Sequence, residues 1–69
     1  MTYDEYWYEV GAAIGRNESK HQRLGQFLFN FLNEYKPDLA DTIRATDNDP
    51  FYEDSKIAAF AIYLEKNWI

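Results

Sequence analysis

Leu24, Phe27, Leu28, Phe31, Leu32 and Tyr35 recur in alternating steps of three and one, the spacing that lines up side chains on one face of an α-helix. No other segment of the chain is patterned so cleanly, so the fold must be built around a helix here. At about 100° per residue these six side chains share one arc. Phe29 falls well outside its centre, with Gly25 and Leu32 on the side between. A helix with two apolar sides has neighbours on both, which makes this the central element, and Gly25 permits one of those backbones to come close.

Other elements follow from caps and breakers. Thr2 and Glu5 form a capping-box pair, after which Tyr3, Tyr6, Trp7, Val10 and Ile14 recur at helical spacing, predicting a first helix from Tyr3 to Ile14 that Gly15 closes in the left-handed conformation. Ser19 with Gln22 repeats the capping signal ahead of the central helix. Pro37 ends that helix and opens a short one reaching about Ala45, with Asp38 at its positive end and Leu39, Ala40 and Ile43 as its inner face. Thr46-Asp47-Asn48-Asp49-Pro50 is turn chemistry, and Phe51 with Tyr52 is expected to plug the bottom of the core. Asp54 or Ser55 caps a last helix whose inward stripe is Ile57, Phe60, Ala61, Leu64 and Trp68. The expected fold is all-α, one small domain over residues 1–69, with three main helices and one short helix in a bundle-like or orthogonal arrangement.

With 69 residues and no cysteine, stabilisation must come without disulfides or thiolate metal sites. Thirteen aromatic residues are available instead, each able to bury roughly 150 to 250 Å². No basic leader followed by an apolar run is present, so a cytoplasmic protein without a membrane segment is the expectation. The net charge of -5 opposes direct nucleic-acid binding, which relies on Lys and Arg to displace counterions, and favours basic partners.

Catalytic chemistry has little to stand on. His21 is the only histidine and has no cysteine to activate, while Ser19 and Ser55 both fall at expected helix caps. The acidic turn with Asp47, Asp49, Glu53 and Asp54 departs from a calcium loop, having Tyr52 where glycine is needed and no glutamate at the closing position. Arg16, Lys20 and Arg23 form the one basic locality, without a glycine-rich phosphate cradle, and read as a solvated face paired with Glu18. No catalytic residue, cofactor or metal is therefore expected, and the chain reads as a binding protein rather than an enzyme.

The stretches from Arg23 to Phe27, Phe29 to Leu32, Pro37 to Ala40, Ile43 to Thr46 and Asp49 to Tyr52 give a Gly-Gln pair, a Phe-Asn step, a Pro-Asp-Leu-Ala helix start and a Thr-x-x-Asp-Pro-Phe-Tyr turn. In that order they resemble small uncharacterised proteins of bacteriophages and prophages, over about half of the chain. The resemblance implies a phage-related accessory protein that binds, blocks or redirects a host macromolecule, including an anti-defence role in the host cytoplasm. It carries no activity or site residue with it.

Two surfaces are candidates for the partner, a host or phage protein or a nucleoprotein complex. Asp4, Glu5, Tyr8 and Glu9 give the first helix an acidic and aromatic face, and Tyr8 points away from its inward stripe. Phe29 on the central helix, and Ala59, Ile62 and Tyr63 on the last, form the other set, because no residue from Ile57 to Leu64 is charged. Exposure of Tyr8, Phe29 or Tyr63 is the expected signature of an interaction module. The alternatives are a nucleic-acid mimic occupying a basic groove, which needs its carboxylates on one continuous face, and a self-associating protein whose last helix pairs with a second copy, with Trp68 taking part.

Overall fold

Thr2 and Glu5 do close the first turn, each side chain taking the other's backbone N–H at 3.1 and 2.8 Å, and α1 (Tyr3–Gly15) runs from that reciprocal cap. In the computed structural model, which describes residues 1–68, it is followed by α2 (Leu24–Tyr35), α3 (Pro37–Ile43), a short 3-10 turn (Asp54–Lys56) and α4 (Ile57–Asn67). The described residues contain no strand, so the chain is a small all-α domain.

Several boundaries differ from those expected, each for a physical reason. Gly15 stays within the helical range and the left-handed residue is Asn17, at φ 63°, whose short amide side chain tolerates that conformation. Ser19 and Gln22 do not cap α2. They form a turn through the Gln22 N–H and the Ser19 carbonyl at 3.0 Å, and α2 begins two residues later with Arg23 extended before it. The cap comes from 29 residues away: Asp54 Oδ1 accepts the Gly25 N–H at 3.0 Å, and Arg23 lies 3.5 Å from the same oxygen. Asp54 thus satisfies a donor of another helix instead of starting its own. Ser55 does not cap α4 either, its hydroxyl lying 3.4 Å from Glu53.

The close approach expected at Gly25 is present. A Cβ there would collide with the Pro50 carbonyl oxygen and stand 2.9 Å from Asp54 Oδ1. That contact locks the turn before α4 against the start of α2. α3 stops at Ile43, short of Ala45, because Ala45 turns to φ 63° and its N–H is taken by Asp49 Oδ2 at 2.8 Å.

α2 is central, burying Phe27, Leu28, Phe29, Phe31 and Leu32. Tyr6 of α1 is fully buried beneath Trp7, Phe31 and Trp68, with ring centroids 5.0, 5.9 and 5.4 Å away, and its hydroxyl donates to the Leu28 carbonyl at 2.7 Å. Leu39, Ala40 and Ile43 close one end, and Phe60 and Leu64 bring α4 in. The radius of gyration is 11.0 Å, the value of about 11 Å expected for tightly packed chains of this length. Aromatic residues therefore supply the burial that the chain's length withholds. No described helix is long and apolar enough to cross a membrane.

Candidate functional site

The outer face of α1 is the first of the expected surfaces. Tyr6, Val10 and Ala13 are buried and Tyr3 and Trp7 pack beside them, which fixes the rotation of the helix and turns Tyr8 outward, 75% exposed. Asp4 and Glu5, one turn before Tyr8 on the same side, are exposed, and Glu9 is half-buried. The Glu5 carboxylate is engaged in the cap. Hydrogen bonds from the Thr2 backbone and hydroxyl hold its pKa below the ordinary value, so it stays charged at neutral pH. One turn further on, Gly11 has open space where a Cβ would be. Tyr8 is therefore an aromatic ring beside bare backbone, with carboxylates behind it.

The second surface is only partly assembled. Ile62 is 54% exposed beside exposed Ala58 and half-buried Ala59, forming a small uncharged strip on α4. Tyr63 is half-buried, packs against the core, and donates its hydroxyl to Thr42 Oγ1 at 3.0 Å, so it ties α4 to α3 instead of facing a partner. Trp68 likewise turns inward, with Nε1 donating to the Met1 carbonyl at 3.0 Å and its ring against Tyr3 and Tyr6. Phe29 is not a surface residue: it is 2% exposed, with Phe51 edge-on at 6.0 Å and the Arg44 guanidinium 5.1 Å from its ring centre. The side of α2 that carries Phe29 is covered by the turn after α3, whose position depends on contacts remote in sequence.

Tyr52 is a surface feature that the sequence pattern misassigned. Phe51 packs against the core as expected, but Tyr52 stands 80% exposed, touching only the Phe51 ring at 4.7 Å among aromatic neighbours. Its support is rigid. Asp49 is buried with both carboxylate oxygens occupied, by Ala45 N–H at 2.8 Å and Phe51 N–H at 2.9 Å, and Arg23 donates to the Phe51 carbonyl from the other side. Phe29, Arg44, Ala45, Asp49, Phe51 and Tyr52 surround a cleft of about 250 Å³. The signal available in sequence was only that two adjacent aromatics after a turn cannot both face one core.

His21 is exposed on the turn before α2, and no group of three or more His, Cys, Asp or Glu side chains among the described residues could hold a metal ion. No protein-family model, curated protein or solved structure matches the chain.

Proposed function

We propose that this chain is a noncatalytic interaction module whose α1 face, Tyr8 with Asp4 and Glu5 behind it, docks on a basic surface of a partner protein or nucleoprotein complex. The observation that carries this reading is the 75% exposure of Tyr8 on a helix whose opposite side supplies the core. Ring area of that size is not needed for folding, and tyrosine is the side chain that interfaces favour, because it brings much contact area for little lost rotamer freedom. The net charge of -5 steers basic surfaces toward it. The setting we attach, from the resemblance to bacteriophage and prophage proteins, is an accessory protein that modulates or inhibits a host component in the host cytoplasm.

The test is retention of bacterial lysate proteins on immobilised chain, with and without nuclease, compared with Tyr8→Ala. A nuclease-resistant host protein held by the unaltered chain, released by salt and lost with Tyr8→Ala, supports the reading. Equal retention on both sinks it.

Self-association through α4 is the second reading, favoured by the exposure of Ile62 beside Ala58. Light scattering of the chain alone, with Ile62→Glu as control, separates it from the first. Mimicry of nucleic acid is weaker. Glu18, Asp49 and Asp54 are each engaged in an ion pair, turn or cap within the domain, which takes them out of any phosphate-like array.

A further inference from the structure

Arg44 is placed unusually for a charged side chain of an acidic protein. It leaves the C-terminal end of α3, lies with its guanidinium 5.1 Å from the centre of the buried Phe29 ring, and forms one wall of the cleft whose other wall is Tyr52. Its Nη2 reaches Asn33 and Asp41 only at 3.4 and 3.3 Å, both long for charge-assisted bonds, and Asp41 is itself exposed. A guanidinium 5.1 Å from an aromatic ring centre, with Nε and Nη1 donating to no described residue, is presented and not consumed.

The rest of the cleft is apolar and fixed. Half-buried Phe51 makes part of it with Phe29, and the Asp49 carboxylate, though it lines the space, spends both oxygens on backbone N–H groups of its own turn. Ala45 holds the left-handed φ of 63° to keep this turn in shape. At about 250 Å³ the cleft is smaller than the roughly 300 to 1,000 Å³ of small-molecule and cofactor sites. It is suited to one or two side chains of a peptide.

We propose that the cleft between Arg44 and Tyr52 is a peptide-binding site, distinct from the α1 face, that takes a segment carrying a carboxylate next to a large aliphatic or aromatic side chain. The carboxylate accepts from Arg44 Nη1 and Nη2 as a bidentate pair, Nη2 turning from its long contacts to Asn33 and Asp41, and the neighbouring apolar side chain lies between Tyr52 and Phe51 over Phe29. The chain's overall negative charge does not forbid this. Charges beyond about 8 to 10 Å are screened at physiological salt, whereas the guanidinium contact is direct and backed by an aromatic surface. Displacing Asp41 from Arg44 costs little, since exposed pairs of this kind contribute about 0 to 1 kcal/mol.

The experiment is a titration of the full chain, labelled with ¹⁵N, with the capped tetrapeptide Ser-Glu-Leu-Ser and its counterparts with Gln or Lys in place of Glu, followed by amide correlation spectra. The expected result is saturable movement of the Ala45, Asp49, Phe51 and Tyr52 amides with the Glu peptide, and binding about tenfold weaker with the Gln peptide, the equivalent of one charge-assisted bond lost. Arg44→Gln and Tyr52→Ala, both exposed positions, should each weaken the Glu peptide to a similar degree while leaving the remaining spectrum intact, and Tyr8→Ala should leave it unchanged. Three outcomes overturn the proposal: no movement up to peptide concentrations of about 10 mM, beyond the weakest affinity such a contact could give; equal or tighter binding of the Lys peptide; or movement confined to α1.

Discussion

Gly25 and Gly11 carry the same residue type to opposite ends. At Gly25 an added methyl would meet the Pro50 backbone, which cannot swing aside, so Gly25→Ala should cost about 2 to 4 kcal/mol in urea unfolding. At Gly11 the space is open and the helix continues, so Gly11→Ala should stabilise by about 0.5 to 1 kcal/mol in the same assay. Composition treats the two alike; only the helical arc showed Gly25 on a contacted side, and nothing within a few residues announced that Pro50 and Asp54 are what it meets. Tyr6 supplies a pH signature. Burial raises its phenol pKa above the ordinary 10.0, so the folded state holds the proton more tightly than the unfolded one. Its contribution is therefore complete below about pH 10 and is lost as pH rises further toward the folded value. Tyr6→Phe should lose about 1 kcal/mol at neutral pH, the worth of the Leu28 hydrogen bond, and should unfold less steeply than the unaltered chain above pH 10.

The helices differ in where their ends are decided. Both partners of the α1 cap lie within three residues of each other, and that end was legible from Thr2 and Glu5 alone. Because Thr2 lowers the Glu5 pKa, the stabilisation from this pair is present above the ordinary carboxylate value and fades as pH falls through the lower folded one. Glu5→Gln, which can keep the reciprocal hydrogen bonds, should flatten that part of the acid unfolding curve. The start of α2 was misplaced because its cap is tertiary: Asp54 and Gly25 are 29 residues apart, and the local Ser19 and Gln22 pair imitates a signal used elsewhere. Asp54→Ala should cost about 1 to 2 kcal/mol in thermal or urea unfolding, and Asp54→Asn distinctly less, since the amide oxygen still accepts the Gly25 N–H.

For the molecule as a whole, exposure separates residues that hold the domain from those that it displays. Tyr8→Ala should change stability by less than about 0.5 kcal/mol, whereas Phe29→Ala should cost about 3 to 5 kcal/mol; calorimetry on the two variants checks both. Tyr8 was readable as outward because helical phase alone fixes it. Phe29 and Tyr52 were exchanged in role for one reason: whether the turn after α3 folds over α2 depends on Asp49, Ala45 and Arg23 contacts that no short window contains. The all-helical architecture was legible throughout, and the cleft that the turn creates was not. Trp68 makes one more long-range tie, donating to the Met1 carbonyl at 3.0 Å while its ring meets Tyr3. Residues 1 and 68 are thus neighbours, so the start of α1 and the end of α4 close one edge of the core together, and a probe attached at either position would report on separation of the first and last helices.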